Sequence, residues 1–284
     1  MKQQILYACL LIAVLGACQS KKQEDKTAQV INQAIPYDLS KPDQRDDLPR
    51  DLREISGLSY FKPGMLACIQ DELAVVFLYD LKKKKVAEEV VFGSKGDYEG
   101  VEYVNEELFA LRSDGEIYHF PAQSMGSKYV AHIKVGLPGK NDVEGLGYDP
   151  KLNALLLAVK DGKGSDKPIY YYDLKHGTLF QGPVIKQDEL KAFEKATNTE
   201  GAKEHADHEV KPAGIAVHPK SGDYYVVASN GHRLLVLNRK GKMLSSVPLD
   251  PGLFKQPEGI CFAPDGTLYI ASEGGYLLTF NMIP

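Results

Sequence analysis

The sequence predicts a five-bladed β-propeller, on three observations. One glycine phrase returns five times, each return is followed by strand and turn signals, and the last return stops one strand short of a full blade. The phrases are EISGLSYF from Glu54, DYEGVEYV from Asp97, NDVEGLGYDP from Asn141, PAGIAVHPKSG from Pro212 and QPEGICFAPDG from Gln256. Their glycines, Gly57, Gly100, Gly145, Gly214 and Gly259, are spaced by 43, 45, 69 and 45 residues. A period of roughly 40–50 residues with four strands per unit is that of a propeller blade.

Each copy justifies its strands by the same grammar. The fifth reads EGICFA, the turn PDG, LYIAS, a short EGG, then YLLTF. The fourth reads AGIAVH, PKSGD, YYVVAS, NGH, RLLVLN, RKGK and MLSSVPL. Short runs rich in Val, Ile, Leu and Tyr, divided by Gly, Pro, Asp and Asn, are strands and turns rather than helices. The one long step holds KQDELKAFEKATNTEGAKEHADHEV, residues 186–210, between the third and fourth blades. Leu190 and Phe193 stand three apart among its charges, which predicts a short amphipathic helix laid over one face. After the third strand of the last copy only Met282, Ile283 and Pro284 follow. A strand from the N-terminal side, expected at AIPYDL (Ala34–Leu39), completes that blade and closes the ring with few exposed edges.

Ahead of the propeller, expected over 34–284, the chain reads as an export signal and a tether. MKQQILYACLLIAVLGAC has one early lysine, an apolar run from Ile5 to Leu15 and small residues before Cys18. The run is too short to span a bilayer and fits a secretory signal over 1–17. Leu15-Gly16-Ala17-Cys18 resembles a bacterial lipobox, so Cys18 is the expected lipidation site and the acyl chains the expected membrane anchor. The polar stretch 18–33 has little to bury and reads as a flexible tether. The expected location is the cell envelope, membrane-anchored and facing either the periplasm or the surface.

A net charge of −4, with no lysine-arginine stripe, argues against nucleic-acid binding. KKKK at 82–85 reads as a solvated hairpin turn. Cys68 and Cys261 sit in the apolar runs MLACI and GICFA, where a buried free thiol is expected. Ser56 has no His-Asp partnership to support hydrolysis. GLPGKND at 136–142 lacks phosphate-loop spacing, and His205 and His208 lack further ligands.

With ISGL, YEGV, VEGLGYDP, the weaker AGIAVHPKSG and QPEGICFAPDGTLYIASE in order, residues 50–284 resemble the SdiA-regulated family of bacterial proteins. The resemblance implies a five-bladed propeller distantly related to NHL-repeat proteins, without an established activity and associated with a calcium site. At Pro212-Ala213-Gly214 the sequence departs from the commoner pattern, with Ala in place of Ser before the glycine.

In a propeller the first strand of each blade lines the central channel, and its start shares a mouth with the end of the second strand. Glu99, Glu144 and Glu258 stand at strand starts; Asp71, Arg112, Asp161, Asn230 and Glu273 lie just past second strands. Converging carboxylates are costly to bury unpaired. They can bind a cation, pair with Arg112 or Lys160, stay hydrated, or cap backbone of the neighbouring blade. Calcium suits such oxygen ligands better than magnesium or zinc, and the resemblance favours it. The expected ligand set is Glu99, Glu144, Glu258, Glu273 and Asp161.

Two functions follow. One is a monomeric, calcium-binding module that presents its face to a small-molecule or protein ligand. The other is a calcium-dependent hydrolase, a lactonase, esterase or phytase-like enzyme, with Glu273 or Asp161 as general base. The mouth is mostly acidic, which counts against phosphate substrates.

Overall fold

The computed structural model describes residues 30–122, 129–139, 141–199 and 209–284. The signal and Cys18, the tether as far as residue 29, and His205 and His208 lie outside the described residues.

Five four-stranded antiparallel sheets form the blades. Blade 1 is β2 (Ile55–Lys62), β3 (Met65–Gln70), β4 (Val75–Asp80) and β5 (Lys85–Val91). Blade 2 is β6 (Tyr98–Val104), β7 (Glu107–Arg112), β8 (Glu116–Pro121) and β9 (Ala131–Lys134). Blade 3 is β10 (Asp142–Asp149), β11 (Ala154–Asp161), β12 (Lys167–Asp173) and β13 (Thr178–Ile185). Blade 4 is β14 (Gly214–Val217), β15 (Tyr224–Ala228), β16 (Arg233–Leu237) and β17 (Met243–Pro248). Blade 5 is β18 (Pro257–Phe262), β19 (Leu268–Ser272) and β20 (Tyr276–Phe280), completed on its outer edge by β1 (Gln44–Asp47).

The core is five apolar layers, one between each pair of neighbouring blades. Ala67, Val76 and Leu78 of blade 1 pack with Val101, Leu108 and Phe120 of blade 2. Cys68 and Tyr79 meet Cys261 and Ala271 where blade 5 returns to blade 1. Both cysteines are buried and free, as their apolar runs imply. The recurring glycines let the inner strands abut at the axis. A Cβ on Gly100 would stand 2.6 Å from Leu146 Cβ, and one on Gly214 would stand 2.4 Å from the Glu258 carbonyl oxygen. Real Cβ atoms do not approach so closely, so glycine is required there by packing.

The ring closes through an N-terminal strand, but a different one from that expected. Gln44–Asp47 pairs with β20, with Asp46 opposite Leu277. Ala34–Leu39 instead runs as an irregular strap: Pro36 accepts a hydrogen bond from the Ile283 amide (2.9 Å), and Tyr37 and Leu39 enter the layer between blades 4 and 5. Tyr37 Oη donates to the Gly266 carbonyl (2.6 Å) and lies 3.0 Å from His218 Nε2. The reason is positional. An outermost strand buries few residues, so the polar QRDD suffices where the apolar AIPYDL was sought.

The insertion carries α1 (Gln187–Thr197), with Leu190 and Phe193 buried as the spacing predicts. Glu194 is buried too. It accepts from Arg233 Nε (3.0 Å) and from Ser246 Oγ (2.5 Å), so a charge pair pins the helix to blade 4.

Candidate metal centre at the channel mouth

Ser56, Glu99, Glu144, Ala213 and Glu258 occupy the position before each repeat glycine, at one mouth of the channel. Strand register decides where they point. In blade 1, Ile55 pairs with Gln70 and Gly57 with Ile69, so Ser56 is an extra residue. The same one-residue bulge falls at Glu99 between Tyr98 and Gly100, at Glu144 between Val143 and Gly145, and at Glu258 between Pro257 and Gly259. A bulge leaves its residue outside the ladder and re-aims the side chain. Four copies of the device bring one serine and three glutamates to a common cavity, the Ser56 hydroxyl donating to the Tyr98 carbonyl at 2.7 Å. In blade 4 the position is Ala213, which adds no ligand atom.

Between them lies a cavity of about 10 Å³, lined by Ser56, Glu99, Glu144 and Glu258, by four of the five repeat glycines, and by aliphatic residues such as Leu58, Leu146 and Ile260. That is room for a single water or bare ion. Lys160 supplies the neighbouring positive charge: its ammonium contacts Glu144 Oε1. Ser229 Oγ donates to Glu258 Oε1 at 3.0 Å. Glu144 Oε2 is buried with no hydrogen-bond partner among the described residues.

Burial pushes all three carboxyls up, because a low-dielectric site disfavours the charged form. Glu99 reaches about 9, with Glu144 and Asp97 adding to the rise and Lys160 opposing it. Glu258 reaches about 8, with Glu144 contributing beyond burial. Glu144 is raised as well, its burial outweighing the hydrogen bond from Lys160. Burial pulls Lys160 the other way, but the Glu144 contact and the surrounding carboxylates prevail and hold it above its usual range. Three carboxyls therefore share one ammonium, a charge deficit that a cation or protons would relieve.

The remaining expected residues are placed differently. Asp161 stands outside the cavity and is claimed by Lys211 Nζ at 2.6 Å and Lys167 Nζ at 3.5 Å, contacts that hold its carboxyl below the usual range despite some burial. Glu273 is half-buried and is raised by burial and by the neighbouring Glu54 and Asp71. These form a second acidic group that does not line the cavity. Arg112 turns to its own blade, where it meets Asp114 (2.6 Å), Glu116 and Tyr118 Oη (2.7 Å). Among the described residues no cluster of three or more His, Cys, Asp or Glu stands in ready metal-ligand geometry. The three glutamates line the cavity, and Lys160 contacts one of them, Glu144.

One inner-strand carboxyl carried no expectation from the sequence. Glu102, two residues past Gly100, accepts from Ser59 Oγ at 2.6 Å, and burial lifts it to about 7. The signal was present in YEGVEYV, since Ser59 of ISGLSYF stands at the same offset from its own glycine.

Over residues 43–281 the chain matches the profile of a family described as SdiA-regulated. No curated protein matches it. Solved structures with the same fold include the Myxococcus xanthus glutaminyl cyclase, with a TM-score of 0.60 and 12% identity, covering 85% of this chain and 95% of that one. A streptogramin B lyase gives a TM-score of 0.52 at 10% identity, over 84% of this chain and 97% of that one. A chain of a mitotic checkpoint complex gives 0.44 at 12% identity; 81% of this chain is covered, but only 62% of that one. For the cyclase and the lyase, at such identities, the likeness is one of fold.

Proposed function

The chain belongs to the SdiA-regulated family, and from that membership we propose that it is a calcium-binding propeller which presents its mouth to a ligand or partner, held on a membrane by lipid at Cys18. The observation that carries the calcium reading is the arrangement of Glu99, Glu144 and Glu258, each raised on its own bulge, around a cavity of about 10 Å³. Calcium accepts carboxylate, carbonyl and water oxygens at flexible geometry, and this donor set contains only oxygen. Glu144 Oε2 is a buried acceptor that meets no donor among the described residues. A bound dication would supply positive charge to a mouth in which one ammonium faces three carboxyls.

The small size of the cavity favours a single ion over an ion that also receives a substrate. A hydrolytic metal needs an open position and a base within reach, and there is room here for little beyond one ion. Asp161, one expected base, is held by two lysines. Glu273 keeps a raised carboxyl nearby, but it does not line the cavity.

Calorimetric titration of the purified chain with calcium tests this reading. Saturable binding with one ion per chain, weakened at least about tenfold by Glu144→Gln, is the expected result. An unchanged affinity in Glu144→Gln would remove the channel from the assignment, and absence of binding at millimolar calcium would sink the calcium reading altogether.

A further inference from the structure

Blade 3 differs from the other four at one point in its register. Beyond the bulge at Glu144, a second one falls on the opposing strand: Val143 pairs with Val159, and the next pair is Asp142 with Asp161, so Lys160 is the extra residue. Blades 1, 2 and 5 have their mouth-side bulge on the inner strand only, and blade 4 pairs its first two strands without a shift. A bulge costs ladder hydrogen bonds and is used to re-aim a side chain. Here it places the Lys160 ammonium against Glu144, one of the three carboxyls that line the cavity.

We propose that Lys160 is a tethered counter-ion of this site, one that holds the carboxyls together without metal and must withdraw before a divalent cation can be fully ligated. The inference rests on the calcium reading above and adds a determinant of its affinity. Charge and geometry support it together. The ammonium contacts Glu144 Oε1, an oxygen that the metal would also claim. Glu144 is 5% exposed, and its other oxygen has no donor among the described residues. The Lys160 side chain is one-third exposed, with 33% of its surface open, so its four-carbon stem can carry the ammonium outward to water. A second carboxylate stands beside the bulge to receive it. Asp142 lies across from Asp161 and has no ion pair among the described residues, whereas Asp161 is already held by Lys211 and Lys167.

Competition of this kind has a definite signature. Replacing a buried ion-pair partner with an apolar residue leaves its mate uncompensated and destabilises the empty protein. It also removes the charge that a metal must displace, so the same change tightens metal binding. A lysine with a merely structural role would give the first effect without the second.

The test is calorimetry with calcium on the full chain, wild type against Lys160→Met and Lys160→Arg, with melting temperatures measured in chelator and in saturating calcium. The expected result is that Lys160→Met melts lower than wild type in chelator, binds calcium about tenfold tighter, and gains more in melting temperature on adding it. Lys160→Arg, which keeps the charge, stays near wild type. If wild type binds calcium and Lys160→Met binds no tighter, the counter-ion inference falls while the calcium site stands. If only Lys160→Met binds, the inference stands and the native chain is not a calcium binder. If neither binds while both remain folded by circular dichroism, both fall.

Discussion

Lys84 Nζ lies 2.5 Å from Asp46 Oδ1, and this contact fastens the first blade to the strand that closes the last. Lys84 belongs to the KKKK run, at a turn residue with a φ of +52°. Its side chain is 55% exposed, while that of Asp46 is fully covered. The second Asp46 oxygen accepts from Gln44 Nε2 at 2.5 Å. The run expected to be wholly solvated thus provides the charge that lets a polar strand bury its one inward residue.

Removing that charge should loosen the ring. Lys84→Ala leaves Asp46 buried with Gln44 as its remaining partner, and stranding a buried acceptor costs about 1–3 kcal/mol. Urea unfolding should show a lower midpoint of matching size, whereas Lys82→Ala, at an exposed neighbour in the same turn, should stay within about 0.5 kcal/mol of wild type. Equal midpoints for the two variants would reduce the Lys84 contact to a surface pair.

The repeat glycines should tolerate no side chain. Gly214→Ala would drive a Cβ to 2.4 Å from the Glu258 carbonyl oxygen, which is backbone and cannot swing away. Overpacking costs about 1–3 kcal/mol or more, and the strain falls on the strand that carries Glu258. Gly252→Ala, where the nearest atom is an Asp250 side-chain oxygen at 3.3 Å, is the control. Thermal melts should separate the two clearly; a mild Gly214→Ala would mean that the inner strands can move apart.

Stability should fall as pH rises in the absence of metal. Glu99 and Glu258 titrate in the folded state at about 9 and about 8, against 4.5 for an ordinary glutamate. Raised folded values mean that the native state binds protons more tightly than the unfolded chain. Their stabilising contribution is complete below 4.5 and is lost as pH climbs through 8 to 9. Melting temperatures in chelator across this window should decline, and Glu99→Gln together with Glu258→Gln should flatten the decline. A double variant with the wild-type slope would place the responsible groups elsewhere.

The inserted helix should depend on one buried pair. Arg233 is 1% exposed and meets Glu194 at 3.0 Å. Arg233→Met removes the charge and leaves Glu194 with Ser246 alone, a loss of about 3–5 kcal/mol for a broken buried pair. Changing Arg233 to Met and Glu194 to Leu together should recover much of it, because neither charge is then stranded. Hydrogen exchange across 187–197 should rise in the single variant and return towards wild type in the double. Unchanged exchange in Arg233→Met would show that Leu190 and Phe193 hold the helix by themselves.

The sequence by itself determined the number of blades, their order and the family. Those rest on patterns that repeat locally: a glycine that only close packing explains, apolar runs of strand length, and turn residues between them. It also marked Glu99, Glu144 and Glu258 as channel residues, because a repeat carries each position to the same place in every blade. What only the tertiary structure decided involves contacts between positions far apart in the chain. The closing strand QRDD has no apolar alternation to announce it, and its burial depends on Lys84 from another blade. Asp161 and Glu273 lie at the same mouth, at the ends of second strands, yet Lys167 and Lys211 draw the first away and Glu54 and Asp71 neighbour the second. Lys160 reaches Glu144 through a one-residue shift of register, which alters no residue type and leaves no periodic trace. Repetition reports which positions are equivalent; the packing of non-equivalent neighbours decides which charges meet.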